Sequence, residues 1–313
     1  MKNKKSKKSK KARQKKKLRW PLAIIDIGSN SLRMVVYESP TSHKPAFNSK
    51  TNCFLGRTID QTGKLYGRGK EKAIHTLRGF RELAQAIGVK TFFAFATAAL
   101  RDAEDGKKFI SKMQKTLKKR IHIISGEQEG RLSAQGVAAS IPRATGIVCD
   151  LGGGSLELAV IKKGKFVRAL TLPLGALRLL NNKKRIGAYI DSYLEFIPPD
   201  YPAGSPLYII GGAFRSLGSI HAQMHGKHGK DLQNYAFSGP EMGRLSQYLK
   251  KASPQKLVTL YEIQPNRAET MACVSLLGAK LVTKLRASKV IISMHGVRDG
   301  VLMDLKRYGD LKK

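Results

Sequence analysis

One pattern occurs twice in this chain, and it constrains the fold more than any other feature. The segment LAIIDIGSNSLRMVVYE, from Leu22, and the segment GIVCDLGGGSLELAV, from Gly146, superimpose at a constant offset of 124 residues. Asp26, Gly28, Ser31 and Leu32 then fall on Asp150, Gly152, Ser155 and Leu156. In each copy a β-branched apolar run ends at an Asp, a turn of small residues follows, and a second apolar run leaves the turn. That is the pattern of strand, tight turn and strand. Small turn residues let backbone N–H groups approach an anion while the Asp holds a metal ion or a water. One such turn is ordinary hairpin chemistry. Two of them in matching lobes can face each other across a cleft and hold a phosphate and its cation from both sides.

The intervening sequence supplies α/β units for two lobes. Ile74, Leu77, Phe80, Leu83, Ala84 and Ile87 recur at helical spacing over residues 70–87, and Gly88 closes that helix. TFFAFAT is a buried strand, with Phe92, Phe93 and Phe95 as core residues and not a stacking platform for bases. A helix over 103–117, a strand over 121–125 and a helix over 128–139 complete the first series. In the second copy Lys162 to Lys165 form a turn and Phe166 to Leu170 a third strand. PLYIIGGAFRSLGSIH and KVIISMHGVRDGVLMDL each read as strand, turn and helix. Pro198 to Pro206, with four prolines, is a surface linker. His221, His225 and His228 stand in a Gly- and Lys-containing stretch without nearby acids in sequence, which points to a solvated loop.

At 313 residues and 42% apolar, the chain can bury a core in each of two domains. Twelve of its 58 lysines and arginines and none of its 22 acids lie in residues 1–19, which leaves a charge of +24 on the rest. Residues 1–19 are therefore expected to be a disordered arm. The expected layout is a first lobe over 20–126 and a second over 127–313, with the last helix free to return to the first. A positive body favours polyanions, and such binding weakens with salt. Cys53, Cys149 and Cys273 are isolated and lack zinc spacing, as in a reducing compartment. The apolar run after the basic arm lacks a small-residue cleavage site, and no uninterrupted apolar stretch is long enough to span a bilayer. Cytoplasmic localisation without membrane association is the expectation.

The paired loops resemble the two phosphate motifs of the exopolyphosphatase and guanosine pentaphosphate phosphohydrolase family, within the wider actin, Hsp70 and sugar-kinase fold. AFATAALRDAEDG resembles that family's Ala-Thr-x-x-Leu-Arg segment, and IISGEQEGRL its Ser-Gly-x-Glu-Glu-Ala-Arg segment. IIGGAFRSLGSIH and SMHGVRDGVLMDL resemble its later Gly-Gly and Gly-x-Arg-(Asp/Glu)-Gly segments, so the resemblance runs in order over about residues 21–308. It implies an α/β fold of two similar RNase H-like lobes around a central phosphate-binding cleft. Because the chain ends at Lys313, it also implies the short two-domain form, without the helical HD-type domain that members often carry.

By the same resemblance Glu129 falls on the catalytic base and Arg101 on the phosphate-contacting arginine. Asp150 and Glu157, with Asp26, fall on positions associated with metal and substrate-water placement. Asn30, Ser31, Gly153, Gly154 and Ser155 fall on the phosphate-binding turns, with Arg33 and Arg267 as further phosphate contacts. Two positions depart from the family pattern: Gln128 replaces the first Glu of the pair, and Gly130 replaces the following Ala. By spacing alone Glu127 and Glu129 are both ordinary acids at a helix start. Gly211, Gly212 and Arg215 resemble a nucleotide-contacting segment, yet a Gly-Gly turn before a helix is also packing chemistry, so nucleotide binding stays open.

The implied activity is Mg²⁺-dependent release of orthophosphate from the ends of inorganic polyphosphate, in a homodimer. Hydrolysis of guanosine pentaphosphate, with the penta- or tetraphosphate as substrate or inhibitor, is the alternative. A polyanion-binding protein and a kinase of the same fold are the remaining readings. Nucleic-acid contact through residues 1–19 is conceivable but not expected.

Overall fold

Alternation along the repeat strands sets the layering of the molecule, a computed structural model that describes residues 18–308 apart from positions 43 and 230. In the first lobe β1 (Leu22–Ile27), β2 (Ser31–Tyr37), β3 (Phe47–Asn52), β4 (Thr91–Ala96) and β5 (Ile121–Ile123) form one sheet in the order β3-β2-β1-β4-β5. β1 and β2 are antiparallel, and β4 and β5 add in parallel. The lobe's helices are α1 (Ile59–Thr62), α2 (Gly67–Ala86), α3 (Ala98–Asp102) and α4 (Gly106–Leu117), followed by α5 (Gly126–Ser140). The second lobe repeats the plan with β6 (Gly146–Leu151), β7 (Leu156–Lys162), β8 (Lys165–Leu172), α6 (Ala176–Asn181), α7 (Ile186–Leu194), β9 (Leu207–Ile210) and α8 (Gly212–Met224). It continues through β10 (Ala236–Phe237), α9 (Gly239–Lys251), α10 (Pro254–Tyr261), α11 (Pro265–Ala268), α12 (Met271–Leu285), β11 (Val290–Ile292) and α13 (Val297–Tyr308). Its sheet runs β10-β11-β9-β6-β7-β8, so β6, β7, β8 and β9 occupy the places of β1, β2, β3 and β4.

Ala23, Ile25 and Ile27 of β1 face one core with Leu77 and Phe80 of α2 and Met113 of α4, whereas Leu22 and Ile24 face Leu132 of α5 and Val301, Leu302 and Leu305 of α13. Period-2 alternation therefore puts Asp26 on the α5 and α13 side. The second sheet does the same: Ile147, Cys149 and Leu151 enter the core under α8 and α12, and Val148 packs with Ala134 and Val137 of α5. Asp150 and Glu157 consequently share the face that α5 covers. α5 thus bridges both sheets, and α13 returns from the second lobe to the first. The two helices approach closely because Gly300 has no side chain; a Cβ there would lie 2.0 Å from the Leu132 carbonyl oxygen. Arg131 and Asp304, paired at 2.8 Å, bond α5 to α13 beside that contact.

Several expectations shift in detail. Residues 1–17 of the expected arm lie outside the described residues, but Leu18 and Arg19 belong to the folded body: Leu18 packs on the α13 core and the Arg19 amide donates to the Thr91 hydroxyl at 3.1 Å. The helix expected over 103–117 starts instead at Gly106. There the chain bends and Asp105 accepts the Leu65 amide at 2.9 Å and pairs with Lys70 at 2.8 Å. Phe93 and Phe95 are core residues, with Phe92 partly buried. His221 is not in a solvated loop. α8 runs on to Met224, and His221 is buried within it, while His225 and His228 are exposed. Across the lobe boundary Arg178 of α6 pairs with Asp60 at 2.8 Å and Asp102 at 3.0 Å. Among the described residues no helix is long and apolar enough to cross a membrane.

Candidate active site

Both repeat turns close in the same way. The Gly28 amide donates to the Ser31 carbonyl at 3.0 Å, and 124 positions later the Gly152 amide donates to the Ser155 carbonyl at 3.0 Å. The turns also touch each other: a Cβ on Gly154 would lie 2.6 Å from Ser29 Oγ, and one on Gly153 3.1 Å from the Asn30 amide nitrogen. Glycine is needed there because the lobes meet backbone to backbone. The carbonyls of Ser29 and Asn30 accept from Gly56, Cys53 and Phe54, and those of Gly152 and Gly153 accept from Ala176 and Leu177 at the start of α6. Among the described residues the amides of Ser29, Asn30, Gly153 and Gly154 make no hydrogen bond. Paired turns with free amides are a cradle for anionic oxygens.

The side chains beside this cradle follow from strand register. Asp26 lies opposite Arg33, and at the equivalent place Asp150 lies opposite Glu157. The first hairpin thus contributes a carboxylate and a cation, the second two carboxylates. Asp26 pairs with Arg298 of α13 at 2.8 Å, and Asp150 accepts the Ser133 hydroxyl of α5. Glu157 is 1% exposed, and neither of its carboxyl oxygens has a hydrogen-bond partner. The Ser155 hydroxyl comes near and offsets the rise of its pKa only in part. The hydroxyl of Thr171, opposite Glu157 on β8, is likewise buried and unpartnered.

Glu129 enters from the first turn of α5. Ser125 caps that helix by accepting the Gln128 amide at 3.1 Å, and the Gln128 side-chain oxygen accepts the Ser125 amide at 3.0 Å. This reciprocal cap asks only for a side-chain oxygen at 128, so Gln128 does there what the family's Glu can do. Gly130 has its own reason, since a Cβ would lie 2.7 Å from that of Ala169. Glu127 is exposed, whereas Glu129 is 7% exposed with Arg101 at 3.5 Å. Arg101 also donates to the Ile124 carbonyl at 3.1 Å, so in this structure it orients Glu129.

Burial, with Asp150 close by, pushes the Glu129 carboxyl up to about 8, and Arg101 counteracts part of that rise. Burial raises Asp150 and Glu157 as well. Three crowded acids in low dielectric favour a cation or a proton. Cations gather in the same cleft. Arg33, Lys50, Arg215, Arg267 and Arg298 line the same cleft as Asp26, Asn30, Ser31, Glu129, Asp150 and Gly153. Desolvation, then mutual repulsion, lowers Arg33 and Arg215. Lys50 is lowered in the same way, although its side chain stays exposed at the cleft mouth. Arginines do not lose their proton at neutral pH, so cations crowded and desolvated together favour a bound anion.

Of the residues expected from the sequence, Arg101, Gly154, Ser155 and Glu157 stand behind this lining and not in it. Gly211, Gly212 and Arg215 of the segment left open for nucleotide contact do line it, and Lys50 and Arg298 are the additions. Lys50 lies on an edge strand, FNSKTN, without apolar alternation, and Arg298 meets Asp26 across 272 positions of sequence.

The same fold exists in proteins already described. The solved exopolyphosphatase structure from Cytophaga hutchinsonii superimposes with a TM-score of 0.80 at 20% identity, covering 93% of this chain and 98% of that one, a likeness of fold. In sequence the chain is 26% identical over 301 residues to Exopolyphosphatase 1 of Mycobacterium tuberculosis, covering 90% of this chain and 87% of the relative. It is 32% identical over 194 residues to the guanosine-5'-triphosphate,3'-diphosphate pyrophosphatase of Aeromonas hydrophila, covering 58% and 39%. Residues 34–308, which include the second repeat turn, Glu129 and most of the cleft cations, match the Ppx/GppA phosphatase family. With that match spanning most of the chain, the chain belongs to the Ppx/GppA phosphatase family.

Proposed function

We propose that the chain is an Mg²⁺-dependent exopolyphosphatase that hydrolyses the terminal phosphoanhydride bond of inorganic polyphosphate. The observation that carries this reading is the charge content of one cleft, which Arg33, Lys50, Arg215, Arg267 and Arg298 line together with Asp26, Glu129 and Asp150. The anionic chain is bound by Arg33, Lys50, Arg215, Arg267 and Arg298 and by the free amides of the two turns. Guanidinium groups suit phosphate oxygens because they can donate in pairs. Glu129, when ionised, accepts a proton from the attacking water while Arg101 holds its carboxylate in place. The water oxygen bonds to the terminal phosphorus, the bridging P–O bond breaks, and its electrons stay on the shortened chain. Such a reaction is limited by positioning and by charge neutralisation, which this cleft supplies.

The acids fit Mg²⁺ by donor type, since hard oxygen ligands suit it. Glu157 and Thr171 supply buried oxygens without partners, and Asp150 adds a carboxylate beside them. Asp26 keeps one oxygen beyond its bond to Arg298. Among the described residues these acids do not gather three ligand oxygens within 4.8 Å. That suits an ion which keeps waters and substrate oxygens in its shell. Bound there, Mg²⁺ would neutralise charge on the transferred phosphoryl group.

Hydrolysis of guanosine pentaphosphate is the second reading, favoured by the name of the Aeromonas relative. The charge of +24 outside residues 1–19 supports the longer polyanion instead. Purified chain given polyphosphate and guanosine pentaphosphate in parallel, with Mg²⁺, decides between them. Faster orthophosphate release from polyphosphate is expected; release from the nucleotide alone would reject this assignment.

A further inference from the structure

At the far end of α8 from the cleft, three side chains converge that the phosphatase site does not use. Their ligand atoms, one each from His221, His225 and Glu241, lie within 4.8 Å of one another. Among the described residues this is the one group of three His, Cys, Asp or Glu side chains so gathered. His221 and His225 stand one helical turn apart on α8, and Glu241 comes from the first turn of α9. We propose that these residues form a binding site for a borderline transition-metal dication such as Zn²⁺ or Co²⁺.

The hydrogen bonds around the group prepare it for that role. His225 Nδ1 stands 2.8 Å from the His221 carbonyl oxygen, which can only accept, so Nδ1 carries the proton and Nε2 presents its lone pair. His221 Nδ1 lies 2.9 Å from the Tyr235 hydroxyl. His221 is 3% exposed, and its Nε2 has no hydrogen-bond partner. A proton on that nitrogen would be a buried donor without an acceptor, which is costly. A metal ion on it, with Nδ1 donating to Tyr235, satisfies both nitrogens, the arrangement usual for ligating imidazoles.

Glu241 is prepared in the same way. Its Oε2 accepts the Ser238 amide and hydroxyl, both at 2.6 Å, as the return arm of the α9 cap. That fixes the carboxylate and leaves Oε1 facing His221 Nε2 at 3.9 Å. Bonds of about 2.0–2.2 Å to nitrogen and oxygen place two tetrahedral ligands about 3.3–3.6 Å apart, so a shift of a few tenths of an ångström brings this pair to bridging distance. The His225 ring, stacked 4.3 Å from His221 and exposed, can close the remainder by side-chain rotation. Lys227 and Arg244 lie near the group. Their charge disfavours Mg²⁺ or Ca²⁺, held largely by electrostatics, more than an ion bound through imidazole nitrogen.

Co²⁺ titration of the full chain without a polyhistidine tag, in excess Mg²⁺ to engage the cleft acids, tests the site. Wild type should bind one Co²⁺ with visible ligand-field bands of nitrogen coordination, and Zn²⁺ should displace it. His225→Ala, at an exposed helix end, should abolish those bands while leaving phosphate release unchanged. Tyr235→Phe should keep the bands but weaken binding by about tenfold or more. Absence of the bands in wild type, or their survival in His225→Ala, would overturn the proposal.

Discussion

Glu129 and Glu127 are two residues apart on the same helix turn, and their environments separate them. Glu127 is exposed, while Glu129 shares a buried space with Asp150 and Glu157. Their raised pKa values carry a stability consequence whose sign is fixed. A carboxyl with a folded pKa above its unfolded value holds its proton in the folded state while the unfolded chain has released it. Stability therefore falls as pH rises between the two values. For Glu129 that window runs from 4.5 to about 8. Thermal melts without divalent cations should show Tm declining across this range, and Mg²⁺ should reduce the decline most at its upper end. A Tm indifferent to both would show that the acids are not electrostatically crowded. The sequence revealed the identity of these acids through the repeat and the family segments. It did not reveal that Asp26 is held by Arg298, because that pair joins opposite ends of the chain.

At the scale of elements, α5 carries the site because it lies between the two sheets, and its packing explains a departure from the family pattern. At Gly130 an added Cβ would meet Ala169 of β8 at 2.7 Å. Gly130→Ala should lower stability by about 1–3 kcal/mol through overpacking, despite its better helix propensity. Ala169→Gly in the same chain should restore much of the loss. Chemical denaturation of both variants and the double variant measures this coupling; additive effects would mean that the contact is not the cause. The strands β1, β2, β6 and β7 were legible because apolar runs and the repeat mark them twice over, and β8 because it continues the second copy past a turn. β3 was not, since a polar edge strand leaves no apolar period, and Lys50 went unread with it. The end of α8 was unread for another reason: Glu241 approaches His221 from α9, 20 positions along the chain, and only folding brings it there.

At the scale of the whole molecule, two copies of one hairpin have diverged in charge. The first presents Arg33 where the second presents Glu157, and the insertion of α13 into the first lobe brings Arg298 to the same cleft. Two lobes around a cleft were readable from the repeat alone. The assignment of a base came from the Glu129 segment, and the burial that gives Glu129 its basicity came only from the assembled sheets. In the proposed reaction this carboxylate activates the water that splits a phosphoanhydride bond. Steady-state turnover and polyphosphate binding of Glu129→Gln against wild type test it most directly, since the amide keeps the shape and cannot take the proton. A loss of kcat of about 10²–10⁴-fold with binding retained is expected. Turnover near the wild-type rate would contradict the account.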